Sequence, residues 1–411
     1  MPEYYDSLET REPQERERAL MAALPGQIGH AIRNAPGWAR ILAGIDPATV
    51  SSRKVLAKLP VTRKSDLMGL QIAEPPFGGL NATPVAQLGK IFVSPGPIYD
   101  PEGRGRDWWR TARALFAAGL RPGDLSINAF AYHFTPAGSM LEAGAVALGC
   151  TVVPAGTGQT EMQVTAIADL RANAYVGTPS FLKLIVEKAD ELKADISSLK
   201  KASVAAEYLP PALRAAMGER GIRVLQCYAS ADLGLIAYES EALEGMILDE
   251  GLILEIVLPG TRDPVPEGEV GEVVITTFNP DYPLIRFGTG DLSAVLPGRS
   301  PCGRTNTRIR GWMGRADQTT KVKGMFVHPS QVAEVVKRHG EIMKARLVVD
   351  NPGGTDRMRL HCEVAAASDA LKAVIEASLR EITKLRGEAV LAKPGELPND
   401  GKVIEDAKKY E

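Results

Sequence analysis

Between residues 125 and 228 the chain alternates short apolar strands with amphipathic helices, and this alternation restricts its fold more than any other feature. Strand-like runs at 125–130, 174–177 and 224–228 are separated by helical segments of about 10 to 15 residues. Repeated strand–helix–strand units form a parallel sheet, because each crossover helix returns the chain to the same end of the sheet. The pattern predicts an α/β fold whose ligands bind at the carboxyl ends of the strands.

The flanking sequence predicts two further folding units. Strand-like runs at 251–258 and 270–277 are joined by a turn-rich connection, which is typical of an antiparallel, β-rich subdomain. From residue 314 onward, short strands and two helical segments indicate a small α+β domain. Residues 1–45 have helical spacing of apolar residues, and Pro25-Gly26 predicts a break into two short helices.

Composition excludes several classes of partner. The formal net charge is −2, so neither nucleic acid nor an anionic membrane is an expected partner. No apolar run reaches the ~18 residues of a transmembrane helix, and the charged first 18 residues lack the apolar core of a secretory signal. The four cysteines are scattered and form no CxxC pair, which is typical of a reducing compartment. We therefore expect a cytoplasmic protein.

The stretch 282–291 is the clearest candidate for a ligand contact. It reads Tyr-Pro-Leu-Ile-Arg-Phe-Gly-Thr-Gly-Asp and follows a strand-like run. Gly288 and Gly290 permit a tight turn or a close approach of the backbone to a ligand. The carboxylate of Asp291 can accept two hydroxyl hydrogen bonds, which suits a ribose diol. By itself, Thr-Gly-Asp is more typical of an ordinary turn with a capping aspartate than of a ligand contact.

Several motifs in a fixed order resemble the adenylate-forming acyl-CoA synthetases, specifically the phenylacetate–CoA ligase branch. The resemblance covers about residues 59–402. Its motifs are Leu-Pro-Val-Thr-Arg-Lys-Ser-Asp-Leu at 59–67, Gly-Thr-Pro-Ser at 177–180, Pro-Val-Pro-Glu-Gly-Glu-Val-Gly-Glu at 264–272, the stretch 283–291, Cys-Gly-Arg-Thr at 302–305, Gly-Arg-Ala-Asp at 314–317 and Pro-Ser-Gln-Val at 329–332.

The resemblance implies a large N-terminal domain, residues 1–316, and a small mobile C-terminal domain, residues 317–411. It implies two steps. A carboxylate attacks the α-phosphate of ATP to give acyl-AMP, and the thiolate of coenzyme A then displaces AMP. The expected cofactors are ATP/AMP, Mg²⁺ and coenzyme A, and the expected substrate is a small aromatic carboxylic acid. The resemblance also allows a homodimer, although no stretch of the sequence indicates one.

Carried over position by position, the resemblance assigns Asp291 to the ribose hydroxyls and Arg315 to the ribose or phosphate. Lys402 matches the catalytic lysine that such enzymes bring to the carboxylate and the α-phosphate, and a solvated tail lysine is the alternative interpretation. Asp317 falls at the hinge between the domains. Tyr228 matches the residue that stacks on adenine, and an ordinary core aromatic residue is an equally good interpretation.

The resemblance places further residues around adenine and the acyl group. The backbone of Ala206 and Glu207 borders the adenine in the family. The resemblance places an aromatic acyl pocket at three residues that follow a predicted strand and at one aromatic residue at the start of a predicted helix. These residues are Tyr132, His133, Phe134 and Phe181. Aromatic residues are also common in hydrophobic cores.

The sequence departs from the family pattern where the family contacts ATP. The phosphate loop of the family is rich in Ser, Thr and Gly and carries a lysine. The matching stretch, 94–103, keeps Ser94 and Gly96 but contains three prolines, which lack an N–H, and two acids. Arg104 is a candidate source of the missing positive charge. The Mg²⁺-ligand position is Asp232, which is one methylene shorter than the usual glutamate.

Two classes of function follow from this sequence. The first is an active AMP-forming acid–CoA ligase for an aryl or arylacetic acid, which the presence of Asp291, Arg315 and Lys402 favours. The second is a non-catalytic or repurposed relative that binds a nucleotide, an acyl-adenylate or an acyl-CoA, which the altered phosphate loop favours. Adenylation with an acceptor other than coenzyme A is a third, lesser option.

Overall fold

The computed structural model describes residues 4–94, 97–323, 325–352, 356–398 and 402–408. The chain divides into two compact units. The larger unit comprises Met1–Thr289 with Ala294–Trp312, and the smaller comprises Gly290–Ser293 with Met313–Glu411. The predicted α/β class is confirmed, and the predicted domain boundary after residue 316 stays a prediction. Within the described ranges, no helix is long and apolar enough to cross a membrane.

The larger unit is built around a mixed sheet whose parallel half contains the strands expected from the alternating pattern. Five of its strands run parallel, in the spatial order Thr151–Val153, Leu125–Asn128, Ala174–Gly177, Lys201–Val204 and Arg223–Ser230. The sheet continues through antiparallel neighbours, in the order Gly234–Tyr238, Met246–Leu248, Arg308–Ile309 and Val295–Leu296. The helices of the parallel half are Ala137–Leu148, Thr160–Leu170, Pro179–Leu192 and Pro211–Glu219. This arrangement confirms the parallel sheet predicted from the sequence.

A second sheet contains the predicted antiparallel strands Leu252–Val257 and Gly271–Thr277, followed by Phe287–Ser293, which pairs in parallel with Thr62–Arg63. Arg286 fixes this region. It is fully buried, and its guanidinium is held by Glu255 at 2.9 and 3.0 Å and by three backbone carbonyls at 2.6 to 2.8 Å. A buried guanidinium needs this many acceptors, so Arg286 joins sequence-distant segments into one core.

The N-terminal segment forms one long helix, Pro13–Asn34, with Pro25 inside it. The predicted break at Pro25-Gly26 is therefore wrong. An interior proline costs about 3 kcal/mol, but the residues around it, Leu24, Ile28 and Ala31, are completely buried in the core. Burying three such side chains offsets the lost hydrogen bond. The other helices of the larger unit are Pro36–Ile41, Arg53–Leu56, Lys64–Ala73 and Ala112–Ala117.

The smaller unit has the predicted α+β character. Its sheet has the order Glu388–Ala392, Arg357–Val364, Ile342–Asp350 and Ile404–Asp406. A separate hairpin pairs Thr320–Val322 with Met325–Val327. The helices Pro329–Arg338 and Asp369–Thr383 match the two helical segments expected from the sequence.

Candidate active site

The carboxyl ends of the parallel strands bring several predicted site residues to one edge of the large sheet. Residues 132–134 follow Leu125–Asn128, Thr178 follows Ala174–Gly177, and residues 205–207 follow Lys201–Val204. These three strands are neighbours in the sheet, paired through Asn128 with Val176 and through Gly177 with Val204. The topology therefore gathers segments that are up to about 75 residues apart in the chain, as expected for ligand sites of parallel sheets.

The segment predicted to border adenine is held in a defined conformation. Ala206 has a positive φ of 68°, which is uncommon for a residue with a side chain. The carboxylate of Glu207 accepts a hydrogen bond from the backbone N–H of Ser180 at 3.2 Å. Gln226 donates from its side chain to the carbonyl of Glu207 at 3.0 Å. Tyr228 is buried, and its hydroxyl lies 3.4 Å from Oγ1 of Thr289.

The four aromatic or imidazole side chains assigned to an acyl pocket do not share one environment. Tyr132 is half-buried and accepts a hydrogen bond from Asn128 at 2.9 Å. Phe181 is also half-buried, at the start of its helix. His133 is exposed, and Phe134 is 77% exposed at a positive φ of 57°. Tyr132 and Phe181 are thus the better candidates for pocket walls, and His133 and Phe134 present their side chains to solvent.

The stretch that replaces the phosphate loop forms a β-hairpin, Lys90–Ser94 with Ile98–Glu102. Ser94 is buried, and its hydroxyl donates to the carbonyl of Ile98 within the hairpin at 3.4 Å. Gly96 lies outside the described residues. Arg104 is exposed and donates from Nε to the carbonyl of Gln87 at 3.1 Å. In this structure, Ser94 and Arg104 thus engage backbone carbonyls of their own region.

The two acids of the hairpin have opposite surroundings. Glu102 accepts hydrogen bonds from Trp109 at 2.7 Å and Ser139 at 2.9 Å and pairs with Lys90 at 3.1 Å. Asp100 is fully buried, and neither of its carboxylate oxygens has a hydrogen-bond partner among the described residues. Glu102 is therefore part of the packing of the hairpin, whereas Asp100 is a buried acid whose polar neighbours Ser94 and Lys64 leave both of its oxygens without a geometrically formed hydrogen bond in the part of the chain that the structure describes.

Asp232, the predicted metal ligand, lies in the same electrostatic environment as Asp100. Nζ of Lys64 contacts Oδ2 of Asp232 at 2.6 Å, while Oδ1 of Asp232 is buried without a partner in the described part of the chain. Burial, followed by the negative charge of Asp232, raises the pKa of Asp100 to about 7 against the lowering effects of Lys64 and Ser94. Two buried carboxylates therefore compete for limited positive charge.

Within the smaller unit, Asp291 and Arg315 form the candidate ribose contact. Nη1 of Arg315 donates to Oδ1 of Asp291 at 3.0 Å, and the two residues also pair as an isolated β-bridge. The predicted tight turn is wrong, because Phe287–Ser293 is a strand. Gly290 has φ +75° inside it, and a Cβ atom there would lie 2.7 Å from Nη2 of Arg315. Gly290 is thus needed for this backbone conformation and for the close approach of Arg315.

Lys402 is exposed, in the smaller unit, two residues before the strand Ile404–Asp406. The next residue, Val403, donates its N–H to Oε1 of Gln318 at 2.8 Å, which ties the lysine segment to the motif that contains Arg315. The backbone of Asp317 lies in a short 3-10 helix, Ala316–Gln318, and its side chain lies outside the described part of the structure.

Sequence reasoning missed the contact of Lys64 with Asp232. The two residues are 168 positions apart, so no local pattern joins them. One signal was present: Lys64 is the first residue of the helix Lys64–Ala73, where the positive end of the helix dipole disfavours a lysine. A residue that opposes its local structure is often kept for a distant partner or a ligand.

Comparison with known proteins identifies the family of this chain. Residues 107–279 match the family model described as AMP-binding enzyme. The chain is 32% identical to phenylacetate–coenzyme A ligase of Thermus thermophilus over 381 residues, which are 88% of this chain and 84% of that protein. It is also 32% identical to the phenylacetate–coenzyme A ligase of Escherichia coli, over 88% of this chain and 86% of that protein.

The chain belongs to the phenylacetate–CoA ligase family. Solved structures support the same fold. An open conformation of 2-hydroxyisobutyryl-CoA ligase, in complex with 2-HIB-AMP and CoA, has a TM-score of 0.87 at 24% identity, over 98% of this chain and 95% of that chain. Membership confirms the predicted family and fold. It also supports the predicted type of reaction, AMP-forming ligation of an acid to CoA, with ATP and CoA as co-substrates.

Mg²⁺, which ligases of this family use, fits the oxygen atoms present. Oδ1 of Asp232 is a buried carboxylate oxygen without a partner in the described ranges. Mg²⁺ in nucleotide sites is typically held by one or two carboxylates plus phosphate oxygens and waters. The described residues contain no group of three or more His, Cys, Asp and Glu side chains suited to a metal ion. A single carboxylate such as Asp232 therefore suits a Mg²⁺ ion that is held together with a nucleotide better than a structural metal ion held by protein ligands alone.

Proposed function

We propose that this protein is an AMP-forming ligase that activates an aromatic carboxylic acid as its acyl-adenylate and transfers the acyl group to coenzyme A. The curated relatives named above are phenylacetate–coenzyme A ligases, which points to an arylacetic acid. The observation that carries the proposal is the pair formed by Asp291 and Arg315, which offers an acceptor for a ribose diol beside a guanidinium suited to phosphate. We also propose that the protein is cytoplasmic and that it forms a homodimer.

In the first step, a carboxylate oxygen of the acid bonds to the α-phosphorus of ATP, and the bond to the β-phosphate breaks to release pyrophosphate. The chemistry needs neutralised charge and fixed geometry more than proton transfer. Asp291 holds the ribose and Tyr228 stacks on adenine. Lys402 contributes its ammonium to the carboxylate and the α-phosphate, and Arg315 contributes its guanidinium. A bound Mg²⁺ at Asp232 would supply further positive charge to the phosphate oxygens.

In the second step, the thiolate of coenzyme A attacks the acyl carbon, and AMP leaves with the electron pair of the broken bond. Tyr132 and Phe181 are the side chains assigned to the acyl group, because both are half-buried after neighbouring strands. Aromatic walls favour a flat ring by dispersion and edge contacts. His133 and Phe134, which were also assigned to the acyl pocket, are exposed, and we place them at its rim.

A substrate panel tests the proposed acid. Purified protein would be incubated with ATP, Mg²⁺ and CoA and with phenylacetate, benzoate, 2-hydroxyisobutyrate or acetate, and acyl-CoA would be quantified by chromatography. We expect phenylacetate to give the highest kcat/KM, with acetate lower by at least about tenfold because it leaves the aromatic walls uncovered. A preference for acetate or 2-hydroxyisobutyrate would contradict an aromatic substrate while leaving the ligase reaction intact.

The second candidate function is a relative that binds an adenylate or an acyl-CoA without making one. It is favoured by the hairpin in which Asp100 stands where the family has a lysine-bearing phosphate loop. Calorimetric titration separates the two candidates. An active ligase binds both ATP·Mg²⁺ and AMP, whereas a binding-only relative that kept only the ribose contacts binds AMP and not ATP.

A further inference from the structure

The buried polar cluster formed by Asp100, Asp232, Lys64 and Tyr282 is not explained by the packing of the larger unit. The side chains of Asp100 and Asp232 are completely shielded from solvent. Both oxygens of Asp100, Oδ1 of Asp232 and the hydroxyl of Tyr282 are buried without a hydrogen-bond partner in the described ranges. Buried polar atoms are nearly always paired, so several orphan oxygens in one environment indicate an absent partner.

The charge of this cluster identifies the kind of partner. Two carboxylates and the ammonium of Lys64 give a formal charge of −1, and Nζ of Lys64 contacts Oδ2 of Asp232 at 2.6 Å. Asp100 lies close enough to Asp232 for the two carboxylates to repel each other. The cluster therefore carries excess negative charge, which a cation relieves.

We propose that Asp100 joins Asp232 as a second carboxylate ligand of one divalent cation of the Mg²⁺ class. The cluster offers three unpartnered carboxylate oxygens, which are hard donors, and it contains no thiol or imidazole that would favour a softer metal. Two carboxylates with substrate phosphates and waters form a typical Mg²⁺ set. The inference deepens the proposed function, because the same cation would meet the triphosphate of ATP.

This site explains how the altered hairpin can remain compatible with a triphosphate. A divalent cation changes the formal charge of the cluster from −1 to +1, so the acid at position 100 ceases to repel phosphate. The metal ion then provides positive charge where the chain lacks the lysine of the family's loop. Lys64, which is about a quarter exposed, forms the outer edge of the cluster and supplies a second positive charge.

The hairpin provides a matched control residue. Glu102 lies two positions after Asp100 on the same strand and is also buried, but its carboxylate is hydrogen-bonded by Trp109 and Ser139 and paired with Lys90. Glu102→Gln and Asp100→Asn each remove one negative charge from the strand. Only Asp100→Asn removes an oxygen that is available to a cation.

Binding of Mn²⁺, used as a spectroscopic substitute for Mg²⁺, tests the site by electron paramagnetic resonance on the full chain at pH 8 without nucleotide or acid. We expect one bound Mn²⁺ in the wild-type protein, competed by Mg²⁺. Asp100→Asn and Asp232→Asn should each weaken Mn²⁺ binding at least tenfold, and Glu102→Gln should change it less than threefold.

Three results would overturn the inference. The first is that wild type binds no Mn²⁺ at millimolar concentration, and the second is that a folded Asp100→Asn variant binds Mn²⁺ with wild-type affinity. The third is that Glu102→Gln weakens Mn²⁺ binding as much as Asp100→Asn does. Circular dichroism of each variant establishes folding, and if Asp100→Asn does not fold, the same comparison is made with Asp100→Ser. Because no nucleotide is present, metal binding fails or succeeds independently of ligase activity. Carboxylate-dependent AMP formation without Mn²⁺ binding at this site would reject the metal site and retain the ligase.

Discussion

Nη1 of Arg315 lies 3.0 Å from Oδ1 of Asp291, in a β-bridge that Gly290 makes possible by its positive φ and missing side chain. The pair holds the carboxylate in one orientation before any ligand is present. A prepositioned acceptor loses less conformational entropy when it binds a ribose. This arrangement is the most specific part of the candidate nucleotide site within the smaller unit.

Asp291→Asn should weaken AMP binding about 10- to 100-fold, because a charge-assisted hydrogen bond contributes roughly 1.5 to 3 kcal/mol. Calorimetric titration of AMP measures the effect. Glu341→Gln, an exposed change in the same unit, is the control and should bind AMP like wild type. Wild-type affinity in Asp291→Asn would remove Asp291 from the ribose contact.

Lys402→Ala should slow adenylation at least about 100-fold, because the reaction loses the ammonium assigned to its developing charge. Pyrophosphate release measures the first step, and conversion of synthetic acyl-AMP to acyl-CoA measures the second, which should change less than tenfold. Lys393→Ala removes another exposed lysine of the smaller unit and should leave both rates unchanged. An adenylation rate equal to that of wild type in Lys402→Ala would make Lys402 a solvated lysine.

Arg286→Met should destabilise the larger unit by about 3 to 5 kcal/mol, because it leaves Glu255 buried and unpaired along with three backbone carbonyls. Urea unfolding measures the loss. Adding Glu255→Gln to this variant should recover part of it by removing the uncompensated charge. If the double variant is less stable than the single one, the buried charge is not the main cause.

Asp107 should make the free energy of unfolding decrease as the pH rises from about 4 to about 6. Burial raises the pKa of Asp107 to about 6, despite hydrogen bonds from Ala112 and Thr111. The folded protein thus keeps a proton that the unfolded chain releases near pH 4, and stabilisation from this proton is complete below pH 4 and lost above pH 6. The thermal midpoint of wild type should fall relative to Asp107→Asn across this window. If the thermal midpoints of wild type and Asp107→Asn change in parallel with pH, the raised pKa of Asp107 is contradicted.

Much of the fold was predictable because its signals are local. Strand–helix alternation between residues 125 and 228 depends on neighbouring residues, and the parallel strands follow from it. The break predicted at Pro25 failed because burial of Leu24 and Ile28 outweighs a local propensity. The turn predicted at Gly288 and Gly290 failed for a similar reason, since residues 287–293 form a strand of the second sheet, in which Gly290 alone has a positive φ.

Residues of the candidate site were predictable from the sequence only where a single local motif identifies the residue and its role. Asp291 and Arg315 were each assigned to the ribose region, and the structure joins them. The contact of Lys64 with Asp232 links segments 168 residues apart and has no sequence pattern. Asp100 and Glu102 are equivalent acids in the sequence, and only burial and hydrogen bonding distinguish the paired Glu102 from the unpaired Asp100.

Formation of AMP from ATP, measured by chromatography with and without phenylacetate and CoA, tests the central claim most directly. The account predicts that AMP forms only when the acid is present and that CoA increases turnover, with one acyl-CoA produced for each AMP. ATP that stays intact in the presence of acid and CoA, in a protein that still binds AMP, would contradict the ligase and leave the adenylate-binding relative.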